Sequence, residues 1–327
     1  MKTIRWGIIG CGDVTEVKSG PGFQKADHSA LMAVMRRQGE LARNYAERHG
    51  VSRWYDNAAA LINDSEVDAV YIATPPSSHK EYTLMTAAAG KPVYVEKPMA
   101  LNFTECQEMI AACANAGLPL FVAYYRRALP RFLKIKELLD SGSIGHPRFV
   151  GITFYQPMPP QDLDSDKQSW RVDPAVGGGG RFVDLASHML DFLDYALGPI
   201  VEVQGLAANQ AGKYKAEDIV TGTFRFASGV QGAGTWCFSA YDSRDIIEIV
   251  GTEGKITFST FDARPIALTT HDGPIEFSLD YPQHIEQPLI QMVVNELNGV
   301  GKCPSTGETG ARTSRVMDQM LGGRESR

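Results

Sequence analysis

The segment IRWGIIGCGDVT, residues 4–15, decides the fold of the first part of the chain. Its apolar run predicts a β-strand over residues 3–9 that ends at a glycine. Gly10 and Gly12 occupy the first two positions of the spacing G-x-G-x-x-G, and Thr15 replaces the third glycine. Such a turn between a strand and a helix lets a pyrophosphate approach backbone amides. The segment therefore predicts a dinucleotide site, with an ordinary tight turn as the alternative. The residues predicted to line this site are Gly10, Cys11, Gly12, Asp13 and Val14.

The end of the second predicted strand, at residues 30–35, indicates which dinucleotide is bound. In this type of fold an acidic residue here binds a ribose 2′-hydroxyl, whereas an arginine suits a 2′-phosphate. The residues that follow the strand are Arg36 and Arg37. We therefore predict a preference for NADP, with NAD as the second candidate. A solvated loop is the alternative explanation for the two arginines.

Strands and helices alternate through the first 125 residues, which is typical of a parallel sheet with helices on both faces. Pro75 and Pro76 end the third strong strand, because proline cannot continue a central ladder. Ser78 and Glu81 have the spacing of a capping box and predict a helix that runs to about residue 89. We predict an α/β, doubly wound Rossmann domain over residues 1–125. Its further strands are predicted at residues 67–74, 92–96 and 118–124.

Beyond residue 125 strands follow one another with turns between them, which is typical of a mostly antiparallel sheet. We predict an α+β domain with an open sheet over residues 126–327. Helices are predicted near residues 130–140, at residues 183–197 and after residue 285. The predicted strands cover residues 148–155, 200–208, 219–226, 230–238, 246–250 and 255–258.

Glu96, Lys97 and Pro98 lie at the carboxyl end of a predicted buried strand, the edge at which open α/β sheets bind ligands. Pro98 favours an extended backbone at Lys97, which holds the side chain in place. A lysine ammonium can donate to a substrate oxygen, and partial desolvation readily moves its pKa. Lys97 is therefore a candidate catalytic residue. An exposed lysine at a strand end is the alternative.

A polar stripe follows the four glycines at residues 177–180 on a predicted helix. At about 100° per residue its members fall on one side, next to an apolar side. The spacing of Asp184 and His188 would let the carboxylate orient the imidazole and support its protonated form. We expect the stripe to face a cleft and His188 to accept a proton near neutral pH, with a solvated helix face as the alternative. The stripe consists of Asp184, His188, Asp191 and Tyr195.

The composition excludes several classes of protein. With 43% hydrophobic and 21% charged residues, the 327-residue chain is expected to be a soluble globular protein. Its net charge of −6 disfavours a nucleic-acid partner, and no apolar run is long enough to cross a membrane. The N-terminus lacks the features of a signal peptide, so a cytoplasmic location is expected. The five cysteines have neither a zinc spacing nor a disulfide framework, so we expect reduced thiols and no metal site.

These motifs in succession resemble the Gfo/Idh/MocA family of oxidoreductases over nearly the whole chain. The resemblance is carried by GCGDVT at residues 10–15, ATPP at 73–76 followed by His79, EKP at 96–98, and the glycine run with Asp184, His188 and Asp191. The sequence looks like the members that are 1,5-anhydrofructose reductases and inositol dehydrogenases. The resemblance implies a Rossmann domain followed by an α+β domain whose open sheet forms homo-oligomer contacts, in a dimer or tetramer.

The resemblance also implies roles for single residues. Lys97, Asp184 and His188 match the family's catalytic positions. His79 matches a position near the cofactor, and its place in the first turn of a helix is also a structural explanation. Trp170 beside Arg171 is equally explained as a core tryptophan next to a surface arginine. The other implied cofactor-binding residues are Thr74, Pro75, Glu96 and Lys97, and the implied substrate-binding residues are Tyr125, Arg126, Trp170, Arg171, Asp184 and His188.

The implied reaction is reversible hydride transfer between NADP(H) and a secondary alcohol or ketone of a small sugar, cyclitol or sugar derivative. Lys97 and His188 would transfer the proton and stabilise negative charge on the oxygen. Two other functions remain open at this point. One is a glycoside hydrolase that acts through transient oxidation and elimination, and the other is a non-catalytic regulator that senses the dinucleotide. The lysine, aspartate and histidine positions count against the regulator.

Overall fold

A computed structural model describes residues 1–164 and 168–323, and the chain forms two compact units. The first unit comprises residues 1–100, 104–128 and 282–311, and the second comprises residues 101–103, 129–281 and the segment from residue 312. Residues 282–311, predicted within the second domain, thus lie in the first unit. The domain limits 1–125 and 126–327 stay a prediction, but the chain clearly returns to its first unit near its end.

The first unit is built on a parallel sheet of six strands. Its strands are β1 (Ile4–Ile9), β2 (Ser29–Met35), β3 (Arg53–Tyr55), β4 (Ala69–Ile72), β5 (Val93–Val95) and β6 (Leu120–Val122). All neighbours pair in parallel, in the order β3-β2-β1-β4-β5-β6. This order is that of the Rossmann fold, so the predicted fold class is confirmed for this part of the chain. The helices between the strands are α1 (Asp13–Val17), α2 (Gly20–Lys25), α3 (Gly39–His49), α4 (Ala58–Ile62), α5 (His79–Ala88) and α6 (Phe103–Asn115).

Four aromatic side chains pack together in the core of the first unit. The ring centroids of Trp6 and Phe23 are 4.8 Å apart, and Phe23 lies 5.1 Å from Tyr71. Tyr71 in turn lies 5.0 Å from Tyr94 on the neighbouring strand. All four are fully or almost fully buried, and each burial contributes about 2–3 kcal/mol. This packing fixes Tyr71 near the carboxyl end of β4.

The second unit is built on a sheet of eight strands. Its strands are β7 (Pro147–Tyr155), β8 (Ile200–Ala208), β9 (Ile219–Phe226), β10 (Gln231–Cys237), β11 (Arg244–Gly251), β12 (Gly254–Phe258), β13 (Ile266–Thr270) and β14 (Gly273–Phe277). Their order is β14-β13-β12-β11-β7-β10-β9-β8, and every pair except β7 with β10 is antiparallel. The prediction of a mostly antiparallel sheet is therefore confirmed, although β13 and β14 had no predicted counterpart.

Helices cover one face of the eight-stranded sheet. Phe132 and Phe192 lie 4.8 Å apart between ring centroids, and Phe192 lies 5.7 Å from Phe258 on β12. On the other face, Phe149 is 48% exposed and Leu206 is 79% exposed. The sheet is thus buried on one side only. The remaining helices of the chain are α7 (Pro130–Asp140), α8 (Pro160–Leu163), α9 (Pro174–Gly177), α10 (Gly180–Leu197), α11 (Gln287–Leu297) and α12 (Gly307–Met320).

The start of α5 differs from the predicted capping box. Ser78 accepts no side-chain capping bond, and Pro76–Ser78 form a single 3₁₀ turn ahead of the helix. The Ser78 hydroxyl instead donates to the Thr74 hydroxyl at 2.8 Å. The capping-box prediction is therefore wrong, because the short polar side chain turns back to the loop after β4. Within residues 1–164 and 168–323, every helix is too short or too polar to cross a bilayer.

Candidate active site

The two glycines in the turn after β1 differ in backbone conformation and in the space around them. Gly10 has a φ of +93°, a conformation that side chains other than glycine rarely adopt. A Cβ on Gly10 would also lie 2.9 Å from the backbone nitrogen of Thr74. Gly12, by contrast, is extended, and the nearest atom to an added Cβ would be Gly10 O at 3.9 Å. Gly10 therefore permits contact with the loop after β4, whereas Gly12 leaves open space beside the start of α1.

Thr15, which replaces the third glycine of the motif, is held by hydrogen bonds. Its hydroxyl donates to Gly12 O at 2.8 Å, and the Tyr45 hydroxyl donates to Thr15 O at 2.8 Å. Both side chains are buried, and burial raises the pKa of Tyr45 to about 12. Tyr45 therefore stays a neutral donor. The missing glycine is thus accommodated by polar contacts within the turn.

The two arginines follow the end of β2 beside the glycine turn. Met35 O accepts the backbone N–H groups of Gly10 and Cys11 at 2.9 and 3.2 Å. Arg36 Nη1 lies 3.5 Å from Cys11 O, and both Arg36 and Arg37 are exposed. Burial raises the pKa of the Cys11 thiol to about 11, so the thiol is neutral at physiological pH. Backbone amides at a helix start next to guanidinium groups form a donor set that suits phosphate oxygens, so a dinucleotide fits this turn.

His79 links the loops that follow β4 and β5. Its Nε2 lies 2.7 Å from Thr74 O, and its Nδ1 lies 3.1 Å from Pro98 O and 3.2 Å from Met99 O. The ring is fully buried, and burial lowers the pKa of His79 below its usual range. Its contacts are all with backbone oxygens of the two loops. His79 therefore ties the ATPP and EKP segments together, which gives it a structural role whether or not a cofactor lies near.

Lys97 follows β5 by two residues and is half-buried. Its backbone N–H donates to Glu96 Oε2 at 2.9 Å, and the peptide bond to Pro98 is cis. Glu96 is 7% exposed. The hydrogen bond from its backbone to Glu96 therefore holds Lys97 at the carboxyl end of the parallel sheet. The Pro75 backbone is extended in the adjacent loop, where its carbonyl accepts the Ser78 N–H at 3.1 Å.

Tyr125 and Arg126 lie in the 3₁₀ turn Tyr125–Ala128 that follows β6. Both are buried, and the Arg126 guanidinium lies 5.1 Å from the centroid of the Tyr125 ring. The carboxyl ends of β1, β4, β5 and β6 share one edge of the sheet because the strands are parallel. That edge therefore gathers the glycine turn, the loop with Thr74, Lys97 and this turn.

Three of the four glycines at residues 177–180, where α10 begins, pass close to other atoms of the protein. A Cβ on Gly177 would lie 3.0 Å from Arg171 O, and one on Gly178 would lie 3.0 Å from Leu101 O. A Cβ on Gly180 would lie 2.5 Å from that of Ala216. Small residues are therefore required here by close contacts within the protein's own chain. These contacts set the start of α10, the helix that carries Asp184 and His188.

Helix α10 is buried on more sides than the predicted pattern, with one polar and one apolar side, requires. Its residues 186–194 are all buried, so the stripe does not form a separate exposed side. Asp191 Oδ1 accepts a hydrogen bond from the Thr313 hydroxyl at 3.4 Å, and Lys136 Nζ lies 5.6 Å from the Tyr195 ring. The expectation that the whole stripe faces a cleft is therefore wrong, because Asp191 packs against α12 and Tyr195 against α7.

Asp184 forms a contact that its sequence spacing did not predict. Arg171 Nε lies 3.3 Å from Asp184 Oδ2, and the Arg171 guanidinium lies 4.4 Å from the centroid of the Trp170 ring. Trp170 is 37% exposed and lies in the 3₁₀ turn Trp170–Val172. The structure therefore brings three predicted residues of the second unit together as a row of indole, guanidinium and carboxylate.

His188 packs against an aromatic side chain that sequence reasoning missed. The ring is 4% exposed and meets Phe261 edge to face, with ring centroids 5.9 Å apart. Asp245 Oδ2 accepts the backbone N–H groups of Thr260 and Phe261 at 2.9 and 2.7 Å. The loop after β12 is thus anchored so that Phe261 orients the His188 ring. No short motif marks Phe261 in the sequence, because its partner lies 73 residues away on α10.

Models of known families match both parts of the chain. Residues 4–124 match the model described as an oxidoreductase family with an NAD-binding Rossmann fold. Residues 132–257 match the model described as the GFO/IDH/MocA C-terminal domain. The two matches follow the order of the two sheets.

Curated relatives match almost the full chain. An oxidoreductase of Formosa agariphila is 39% identical over 320 residues, which cover 98% of each chain. The myo-inositol 2-dehydrogenase of Thermotoga maritima is 31% identical over 83% of this chain and 79% of its own length. The 1,5-anhydro-D-fructose reductase of Ensifer adhaerens is 28% identical over 94% of this chain and 92% of its own length.

Solved structures share the fold. The aldose-aldose oxidoreductase of Caulobacter crescentus superposes with a TM-score of 0.86 and 24% identity, over 100% of this chain and 99% of that chain. At this identity the likeness concerns the architecture alone.

Proposed function

Because this chain belongs to the GFO/IDH/MocA family of oxidoreductases, we propose that it transfers a hydride reversibly between NADP(H) and a secondary alcohol or ketone carbon of a sugar, cyclitol or sugar derivative. Family membership makes the chain an oxidoreductase with an NAD(P)-binding Rossmann domain. The relatives named as a 1,5-anhydro-D-fructose reductase and a myo-inositol 2-dehydrogenase support this substrate class.

One observation carries the proposal. Lys97 and the glycine turn lie at the same carboxyl edge of the six-stranded sheet, on loops that follow β5 and β1. Open α/β sheets bind their ligands at this edge, where the strand order reverses. Lys97, whose backbone N–H is held by Glu96, is therefore in the loop cluster that a dinucleotide and its reaction partner would share.

The cofactor would be held mainly by the glycine turn and the arginines. The amides beside Gly12 would bind the pyrophosphate, and Arg36 and Arg37 would bind a 2′-phosphate. Thr74 and Pro75 line the neighbouring loop, which contacts Gly10. When bound, the nicotinamide supplies the carbon that accepts or donates the hydride.

The proton chemistry would fall to Lys97 and His188. The Lys97 ammonium would donate to the reacting oxygen and stabilise negative charge on it. The His188 imidazole would take up or return the hydroxyl proton. Asp184 would support the charged imidazole, and the Arg171 guanidinium beside Asp184 holds this carboxylate in place.

The remaining predicted residues would select the substrate. Sugar hydroxyls are bonded well by guanidinium groups, and the apolar face of a pyranose stacks on indole rings. Arg171 lies over the Trp170 ring, which supports a combined role for this pair. Tyr125 and Arg126 offer a phenol and a second guanidinium at the carboxyl edge of the sheet in the first unit.

Replacement of the two proton-transfer residues tests the proposal. A panel of sugars and polyols that includes myo-inositol is screened for a change in nicotinamide absorbance, and a substrate is chosen from it. Lys97→Ala and His188→Ala should then lower kcat by about 100-fold or more, because each removes a group that acts in the transition state. NADPH affinity, measured by fluorescence titration, should stay close to that of the wild type.

Two exposed residues provide matched controls. Lys25→Ala and His271→Ala remove the same chemical groups from the surface and should leave kcat unchanged. Full activity of Lys97→Ala would defeat the assignment of the lysine. Release of a sugar from a glycoside without net change in the cofactor would replace the proposal by glycoside hydrolysis.

We also propose that the chain forms a homo-oligomer through the exposed face of the eight-stranded sheet. The side chains on this face are mostly small and uncharged, as in Thr221, Thr223 and Thr235, and they surround Leu206. A flat face without charge at its centre is typical of the core of an oligomer interface. The Arg225–Glu202 ion pair lies toward its rim.

A further inference from the structure

Two buried glutamates meet at one tyrosine behind the EKP segment. The Tyr71 hydroxyl donates to Glu96 Oε1 at 2.6 Å, and its oxygen lies 3.3 Å from Glu286 Oε2. Tyr71 is fully buried, Glu96 is 7% exposed and Glu286 is 1% exposed. All three residues lie in the first unit. Glu96 also accepts the backbone N–H of Lys97, so this cluster directly supports the backbone of the proposed catalytic lysine.

Glu286 reaches the cluster from the segment that returns late in the chain. It directly precedes α11, and its side chain does not cap that helix. Helix α11 packs on α2, where a Cβ on Gly22 would lie 2.9 Å from Ile290 Cδ1. His284 Nδ1 lies 2.9 Å from Val17 O, which fixes the chain just before Glu286. The carboxyl group is thus held in the core by the packing of its neighbours.

The hydrogen-bond geometry assigns the protons within the cluster. A tyrosine hydroxyl has one proton, and the shorter contact places it toward Glu96. The Tyr71 oxygen can then bond Glu286 only by accepting a proton from it. Glu286 Oε1 has no hydrogen-bond partner among residues 1–164 and 168–323 and is fully buried. An ionised carboxylate left so poorly solvated would be strongly unfavourable, whereas a neutral acid is tolerated.

The surrounding charges favour the same assignment. Burial and the nearby charge of Glu96 raise the pKa of Glu286 well above its usual range. Lys18 opposes this shift from the surface side, and Tyr71 opposes it by its hydrogen bond. Tyr94 is buried beside the pair, and its own pKa is raised well above its usual range by burial and by the two glutamates. Like charges this close cannot both be ionised in the core at low cost.

We propose that Glu286 is a positioning residue of the active site, which holds a proton at neutral pH and so leaves Glu96 as the single negative charge that supports the Lys97 backbone. If both carboxyl groups were ionised, their repulsion would move Glu96 away from Tyr71, and the EKP turn would move with it. The protonated Glu286 therefore keeps Lys97 in its position at the carboxyl edge of the sheet. Its effect on turnover rests on the proposed function, but its protonation does not.

Infrared spectroscopy tests the protonation without any substrate. At neutral pH an ordinary glutamate, with a pKa of about 4.3, is ionised and has no carboxylic-acid carbonyl band. The wild type should show such a band, and Glu286→Gln should lack it. Glu81→Gln, which alters an exposed glutamate of the same unit, should retain the band. A wild type without the band, or a Glu286→Gln protein that keeps it, would overturn the proposal.

A second variant covers the case in which Glu286→Gln does not fold. Glu96→Gln removes the charged partner and keeps both the size of the side chain and Glu286. The carbonyl band of Glu286 should then shift in frequency, because the Tyr71 hydroxyl that accepts the Glu286 proton no longer donates to a charged carboxylate. An unchanged frequency would show that the protonated acid lies elsewhere.

The pH profile of kcat/KM tests the positioning role. Glu286→Gln is neutral like the protonated acid and should keep the wild-type profile, whereas Glu286→Leu loses the polar contact and should lower kcat/KM by about 100-fold through misplacement of Lys97. Glu96→Gln should lower kcat/KM, because it weakens the hydrogen bond that holds the Lys97 backbone. A moved profile in Glu286→Gln would show that Glu286 is ionised in the active enzyme. Absence of turnover with every sugar would defeat the proposed function and leave the infrared result intact.

Discussion

A methyl group at Gly12 tests where the dinucleotide binds. The Gly12 backbone is extended, with φ of −131° and ψ of −158°, so alanine fits there without strain. The nearest atom to the new Cβ is Gly10 O at 3.9 Å. Gly12→Ala should therefore unfold with a free energy within about 0.5 kcal/mol of the wild type. A pyrophosphate against this backbone would meet the methyl group, and a steric cost of about 2 kcal/mol lowers NADPH affinity by roughly 30-fold.

Replacement of the neighbouring Gly10 should lower the stability of the fold, in contrast to replacement of Gly12. Alanine at its φ of +93° costs about 1–2 kcal/mol. Its Cβ would also press on Thr74 N at 2.9 Å and Ala73 C at 3.0 Å, which adds about 1–3 kcal/mol. Gly90 has a φ of +74° and nothing within 4 Å, so Gly90→Ala carries only the backbone cost. The expected order of stability is Gly12→Ala above Gly90→Ala above Gly10→Ala.

Two measurements on each of these variants distinguish an effect on stability from an effect on cofactor binding. Urea unfolding gives the free energy of unfolding, and fluorescence titration with NADPH gives Kd. Wild-type affinity in Gly12→Ala would refute the placement of the pyrophosphate at the turn. A Gly10→Ala protein as stable as Gly90→Ala would refute the contact between the turn and the loop after β4.

Three further predictions follow from charges and from the exposed sheet. Arg36→Asp should lower the ratio of NADP to NAD affinity by about tenfold or more, since it replaces an attraction for the 2′-phosphate by a repulsion; an unchanged ratio in titrations with both cofactors would contradict this. Hydrogen bonds from Arg48 lower the pKa of Glu16 from 4.5 to about 2. The folded pKa lies below the unfolded value, so this stabilisation is complete above pH 4.5 and is lost as the pH falls toward 2; melting curves of Glu16→Gln should fall less steeply with acid, and parallel curves would exclude the effect. Leu206→Lys places a charge at the centre of the exposed sheet face and should reduce the sedimentation coefficient, whereas an unchanged assembly would move the interface elsewhere.

The sequence is most informative where the backbone conformation requires one residue type. Gly10 needs its positive φ, and Pro75 and Pro76 follow the end of β4, so five of the six strands of the parallel sheet follow from local rules, whereas β3 had no predicted counterpart. The short strands β13 and β14 escape prediction, because β14 in particular is exposed along most of its length and shows no buried alternation. Local rules also fail at Ser78, where Thr74 offers a competing partner for the hydroxyl.

The predicted stripe on α10 shows why periodicity alone cannot separate a functional face from a buried one. Asp184, His188 and Asp191 follow one another at intervals of four and three residues, which places them on one side of a helix. Asp191 nevertheless bonds α12, and His188 packs on Phe261. A helix of the chain's interior contacts several elements at once, so polar residues find partners on more than one side. Only the partners distinguish their roles, and these come from distant segments.

Glu286 is the clearest case of a residue whose role depends on distance along the chain. It lies 215 residues from Tyr71, and the segment around it was expected in the second domain. An isolated glutamate at the start of a helix is typical of a solvated acid near the positive end of the helix dipole, which is the opposite of its buried position. The EKP motif predicts a fixed lysine, but the motif does not contain the groups that fix it. Because Glu96 is itself buried, its charge is tolerable beside a second carboxyl only if that group is neutral, so a proton on Glu286 is part of what the motif requires.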